Sequence, residues 1–261
     1  MKKAILVVSF GTSHADTREK TLDVLERDLA AAYPDFTVYR AWTSRMILRK
    51  LAERDGIHIC DVPEAMAQMN RDGVEALVVQ PTHIINGVEN DLMKEDVQAN
   101  RGNIRSLSFG APLLTTTEDS REAIRAVMAE TTVAEDEALV WMGHGTTHYA
   151  NTVYAAMDYM FKDLGYKNVF LGTVEAYPAM ESLLRQVKEY RPRRVVLAPF
   201  MVVAGEHAKN DMSGEEPDSW RHQFEEAGFE VACILKGLGE YAGIREIYRR
   251  HAAEAIGRLA E

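Results

Sequence analysis

Eight short apolar runs alternate with longer amphipathic stretches along the chain, and the last four repeat the pattern of the first four. They fall at 3–9, 37–43, 75–80 and 105–109, then at 138–142, 168–174, 194–198 and 229–234. Runs such as Ala4-Ile5-Leu6-Val7-Val8 and Val195-Val196-Leu197-Ala198 lack polar–apolar alternation, so strands formed there are covered on both faces. The segments Thr17–Ala32, Val62–Asp72, Ser120–Glu130, Tyr149–Leu164 and Pro178–Tyr190 carry the 3.6-residue period of the covering helices. Strand and helix in alternation define an α/β fold. The duplication makes it two similar Rossmann-like lobes, each a four-stranded parallel sheet flanked by helices. The expected division is an N-terminal lobe over 1–131 and a C-terminal lobe over 137–240, with a final helix within 241–261 that can cross back to the first lobe.

Laying one half over the other pairs Ser9-Phe10-Gly11-Thr12 with Gly143-His144-Gly145-Thr146, and Thr43-Ser44 with Val174-Glu175. It also pairs Gly87-Val88-Glu89 with Gly205-Glu206-His207. What the halves share serves the fold. Gly11 and Gly145 permit a tight turn, and Thr12, Ser13, Thr146 and Thr147 can cap the next helix. His14 and His148 stand at matching helix starts. What the halves do not share is the better candidate for chemistry. Phe10 gives way to His144, Ser44 to Glu175 and Glu89 to His207, so the second lobe carries His, Glu and His at three successive strand ends. Open parallel sheets bind ligands beyond the carboxyl ends of their strands, and here that space lies between lobes. Two imidazoles and a carboxylate suit a first-row divalent ion and leave positions open for a further ligand. A lone histidine after a strand is more often a hydrogen-bonded loop residue; the three equivalent positions together point to metal.

A formal net charge of −10 over 261 residues argues against nucleic acid or an anionic membrane as partner. The sequence contains no GxxxxGK[ST] loop and no GxGxxG after a strand, so no nucleotide site is expected, and it lacks the GxSxG of a serine nucleophile. Cys60 and Cys233, far apart and outside any CxxC, fit a cytoplasmic protein. No apolar run approaches the length of a membrane-spanning helix. Met1-Lys2-Lys3 followed by apolar Ala4 to Phe10 resembles a short signal peptide, but the same pattern recurs mid-chain, which makes it the first buried strand.

Further stretches are distinctive when taken in order. They are Ile5 to Ser13, Gln80-Pro81-Thr82-His83-Ile84-Ile85-Asn86-Gly87-Val88-Glu89, Met142 to Thr146, Glu175-Ala176-Tyr177-Pro178 and Pro199 to His207. Together they resemble the anaerobic class II sirohydrochlorin cobaltochelatases of the CbiK type, along essentially the whole chain. The resemblance implies a tetrapyrrole held between the lobes, with His144 as metal ligand and proton acceptor. It implies Glu175 and His207 as further metal ligands, and Glu89 as an additional acidic catalytic residue from the first lobe. The substrate metal would be Co²⁺, with Fe²⁺ for sirohaem or haem as the alternative, since their ligand preferences overlap. Neutral imidazole, with an ordinary pKa of about 6.5, can both hold a metal and accept a pyrrole proton near neutral pH. Sirohydrochlorin carries many carboxylates, and Arg40, Arg45, Arg49 and Lys209 are candidates to meet them. The competing class is a non-catalytic metal or tetrapyrrole carrier. A homo-oligomer is compatible with either class.

Overall fold

The computed structural model describes residues 1–259. One sheet carries β1 (Lys2–Ser9), β2 (Thr37–Trp42), β3 (Val74–Pro81) and β4 (Ser106–Phe109) in the order β2-β1-β3-β4. The other carries β5 (Glu137–Gly143), β6 (Val169–Thr173), β7 (Arg194–Pro199) and β8 (Glu230–Cys233) in the equivalent order β6-β5-β7-β8. All the pairings are parallel, and the register reproduces the repeat. Leu6 faces Val79 as Val140 faces Leu197, and Ser9 faces Trp42 as Gly143 faces Thr173.

The unbroken apolar strands follow from two-sided burial. In β1, Ala4, Leu6 and Val8 pack outward under α4 (Val62–Arg71) and α5 (Val88–Ala99). Ile5 and Val7 face the opposite way, into a core shared by both lobes. Four helices build that inner core: α2 (Leu22–Ala32), α6 (Thr117–Ala129), α7 (Thr152–Asp163) and α10 (Ala242–Gly257). Leu139 and Trp141 of β5 enter it from the second sheet, and Ile244, Tyr248 and Ala252 of α10 lie fully buried within it. The outer face of the second sheet is covered by α8 (Met180–Tyr190), α9 (Trp220–Glu226) and the short π-helical turn Ala208–Met212. The terminal helix packs on α2, α6, β3 and β4 of the first half. The last two residues of the 241–261 segment lie outside the described residues.

The structure differs from the sequence expectation in its helices. The stretch 17–32 is not one helix: α1 (Ala15–Lys20) and α2 are separated at Thr21, whose backbone leaves the helical region (φ −122°, ψ −82°). At that point the Leu238–Glu240 turn presses close; a Cβ on Gly239 would come within 2.7 Å of the Thr21 Cβ. Three helices, α3 (Arg45–Asp55), α5 and α9, were not apparent from periodicity. The apolar stripe of α3 is short because the helix covers only the end of β2, through Ile47, Leu48 and Leu51 against Trp42. Among the described residues no helix is long and apolar enough to cross a membrane.

Candidate metal centre

The loop after β5 can lie against the loop after β6 only with glycine at position 145. Its φ is +87°, and a Cβ there would come within 3.0 Å of Thr173 and Ala176. This close approach sets the site. The Glu175 N–H donates to the His144 carbonyl at 3.0 Å, and the Val174 N–H donates to the Gly143 carbonyl at 3.0 Å. The same two bonds occur in the first lobe, from Ser44 to Phe10 at 3.2 Å and from Thr43 to Ser9 at 2.9 Å. Phe10 and Ser44 therefore occupy the places of His144 and Glu175.

The third position comes from the chain after β7, where His207 leads into the π-helical turn. Its Nδ1 lies 2.6 Å from Asp211 Oδ2, one turn on. A carboxylate accepts but does not donate, so Nδ1 carries the hydrogen and the neutral ring keeps its lone pair on Nε2. His144 Nδ1 is 2.9 Å from the Gly145 carbonyl, which selects the same tautomer by the same reasoning. Glu175 Oε2 lies 3.7 Å from that Nδ1, and the two imidazoles meet edge to face with centroids 4.7 Å apart. Donor atoms of His144, Glu175 and His207 all lie within 4.8 Å of one another, close enough for modest side-chain rotations to bring them onto one divalent ion. Each side chain is a third to a half exposed, which leaves the group open to what lies beside it.

Beside it is a cleft of about 700 Å³ between the lobes, large enough for an extended small molecule. Phe10, Ile84, Ile85, Met201, Val202 and Val203 supply apolar wall. Glu89, the second residue of α5, lines the cleft from the first lobe but does not join the 4.8 Å group. His83 lines it too, and burial pushes its imidazole down to about 4, so it stays neutral at physiological pH.

The basic residues expected to face the cleft do not. Arg40 is held by Asp23 and Glu26, Arg49 pairs with Glu53 at 3.9 Å, and Lys209 pairs with Asp16 at 3.2 Å. Arg45 lies outside the lining as well. Among the described residues, Lys50 of α3 is the one Lys or Arg lining the cleft, 3.7 Å from Glu206. Arg45 and Arg49 lie on the same helix, so only the helical face, not the charge, distinguishes Lys50.

The matched histidines each reach from one lobe to the other. His14 Nε2 lies 2.9 Å from Glu206 Oε2 in the second lobe, and His148 Nε2 lies 3.5 Å from Asp91 Oδ2 in the first. The threonines expected as helix caps orient them instead. Thr12 and Thr146 accept hydrogen bonds from the His14 and His148 N–H groups, each at 3.2 Å. No periodicity within one half could show contacts made by the other.

Comparison with known proteins bears on this geometry. The chain is 39% identical over its full length to a sirohydrochlorin cobaltochelatase of Salmonella typhimurium, and covers 99% of that protein. It is 30% identical to the sirohydrochlorin cobaltochelatase CbiKC of Nitratidesulfovibrio vulgaris, over 99% of this chain and 92% of that one. Among solved structures, SirB from Bacillus subtilis with Fe³⁺ aligns over 99% of both chains with a TM-score of 0.67 at 13% identity, a likeness of fold. The profile of the family described as cobalt chelatase (CbiK) matches residues 3–257. With its two parallel sheets, its inter-lobe cleft and these full-length relatives, the chain belongs to the cobalt chelatase (CbiK) family.

Proposed function

We propose that this protein inserts Co²⁺ into sirohydrochlorin in the cytoplasm, without a nucleotide. The convergence of His144, Glu175 and His207 on one point of the inter-lobe cleft carries this assignment. The names of its 39% and 30% identical relatives support the choice of metal and ring. The exchange balances simply: Co²⁺ enters the ring as two pyrrole N–H protons leave. The two Nε2 lone pairs and the Glu175 carboxylate replace part of the water around the incoming ion. As the ion passes to the ring nitrogens, His144 takes one proton and Glu89, from the facing lobe, takes the other. The apolar wall at Phe10 and Val202 packs against the macrocycle, and Lys50 meets a peripheral carboxylate.

An anaerobic absorbance assay tests this, with sirohydrochlorin and Co²⁺, Fe²⁺ or Ni²⁺ in parallel and no ATP. Many turnovers, fastest with Co²⁺, are expected. His144→Ala and His207→Ala should each lose roughly 100-fold or more in rate, the first as a lost proton acceptor and the second as a lost metal ligand, while melting as the wild type does. A single stoichiometric spectral change would make the protein a carrier. Near-normal rates in both variants would remove the site from the chemistry.

A further inference from the structure

Away from the cleft, a second set of metal donors converges on the first lobe. After α3 the chain returns along the end of β2, where the Trp42 N–H donates to the Cys60 carbonyl at 3.0 Å. Ile59 packs inward against the Trp42 cluster. His58 before it is exposed, and Cys60 after it is half-buried against the outer apolar core beneath α4. The next turn brings in the third donor. Asp61 caps α4 by accepting from the Glu64 N–H at 2.9 Å, and its own N–H donates to Glu64 Oε2 at 3.0 Å. This capping box fixes the Glu64 carboxylate beside His58 and Cys60 while leaving its remaining lone pairs free. Donor atoms of His58, Cys60 and Glu64 lie within 4.8 Å of one another, and His58 Nε2 is already 3.5 Å from Glu64 Oε2. Gln68, one turn further along α4, places Oε1 3.9 Å from Cys60 Sγ.

We propose that His58, Cys60 and Glu64 bind one borderline divalent cation of the Zn²⁺ or Co²⁺ class, with Gln68 or water completing a tetrahedron. Ligands of a tetrahedral ion with one sulfur stand roughly 3.5 Å apart, from metal–ligand lengths of about 2.0 and 2.3 Å. The His58–Glu64 spacing already matches this, and His58, 71% exposed, is free to swing toward the sulfur. A thiolate beside an imidazole and a single carboxylate selects Zn²⁺ or Co²⁺ over Mg²⁺ or Ca²⁺, which demand mostly oxygen. Binding releases the thiol proton to solvent. The site is separate from the cleft, since none of its three residues lines it, and it does not depend on which reaction the cleft performs.

The test titrates the reduced full-length protein with Co²⁺ without air and reads the near-ultraviolet thiolate-to-cobalt charge-transfer band. The His144–Glu175–His207 group contains no sulfur, and Cys233 is the one other cysteine, so the band reports on a thiol site specifically. A saturable band with the intensity of one thiolate-bound ion per chain is expected, competed away by Zn²⁺. It should vanish in Cys60→Ser and persist in Cys233→Ser and in His144→Ala. In His58→Ala the affinity should fall by roughly 100-fold, the upper end of what losing even a supporting partner costs. Absence of the band in the wild type, or its persistence in Cys60→Ser, overturns the proposal whatever the turnover assay shows.

Discussion

A methyl group added at Gly145 is the sharpest perturbation of the His144–Glu175 junction, because the internal repeat supplies its own control. At φ +87°, an L-residue in the left-handed region costs about 1–2 kcal/mol. The new Cβ would also meet Thr173 Cβ at 2.9 Å and Ala176 Cβ and N at 3.0 Å, and such overpacking adds about 1–3 kcal/mol. Gly145→Ala should therefore lower stability by about 2–5 kcal/mol, or about 5–15 °C in Tm for a chain of this size. Relieving the overlap pushes apart the two loops that carry His144 and Glu175. A displacement of roughly 0.5 Å is enough to degrade a ligand constellation, so Co²⁺ affinity should fall at least about tenfold, or about 1.4 kcal/mol. Gly11→Ala imposes the same kind of strain on the equivalent loop, with φ +101° and a Cβ 2.6 Å from the Trp42 ring. That loop carries Phe10 in place of a ligand, so the fold should weaken while Co²⁺ affinity stays within about twofold, well under 1 kcal/mol. Differential scanning calorimetry and isothermal Co²⁺ titration, both in a Cys60→Ser background, make the comparison. Equal loss of metal affinity in the two variants, or none in Gly145→Ala, would refute the idea that loop contact positions the donors.

Asp211→Ala should weaken Co²⁺ binding by about 10–100-fold, since it removes the acceptor that orients His207. At 44% exposure it should leave the melting temperature nearly unchanged, and a titration matching wild type would show that His207 needs no such support. Asp119 offers a pH-dependent test of the α6–α10 contact. Burial works to raise its carboxyl, but hydrogen bonds from Thr116, Arg250 and His251 outweigh that and hold it at about 2 against an ordinary 3.8. With the folded value depressed, the ionised group stabilises by about 2 kcal/mol above the unfolded pKa, and this is lost as pH falls through about 4 toward 2. Asp119→Asn should accordingly melt lower than wild type by a constant interval from about pH 5 to 8, and the interval should narrow below about pH 4. A gap that is the same at pH 3 and pH 7 would assign the loss to packing.

Much of the architecture was legible because burial on both strand faces leaves an unbroken apolar run, and eight of these in two equivalent series permit few folds. The donor group was approachable for a different reason. Duplicated halves share whatever the fold requires, so Phe10/His144, Ser44/Glu175 and Glu89/His207 stood out as differences at positions that parallel strands bring together. Contacts set by the docking of one lobe on the other left no periodic trace. The Thr21 break lies against Gly239, more than two hundred residues away, and the reach of His14 to Glu206 depends on how the two lobes meet. Asp211 was hidden because its pairing with His207 arises only once the turn after β7 has formed. The basic residues were chosen by charge alone, and Arg40 shows why that fails: Asp23 and Glu26 on α2 neutralise it.

The core shared between the sheets has a consequence for what the cleft can distinguish. A single lobe ending near residue 131 would keep α2 and α6 but lose α7, α10 and the second sheet from that core, exposing apolar surface that only a partner could cover. A twin of that lobe could cover it by two-fold pairing, but such symmetry places identical residues on both sides of the interface. Joining the two copies in one chain removes that constraint. One wall can then carry His144, Glu175 and His207 while the opposite wall carries Phe10 and Glu89 at the matching positions of the repeat. A flat ligand lying between them meets a front and a back, which two identical subunits could not offer it.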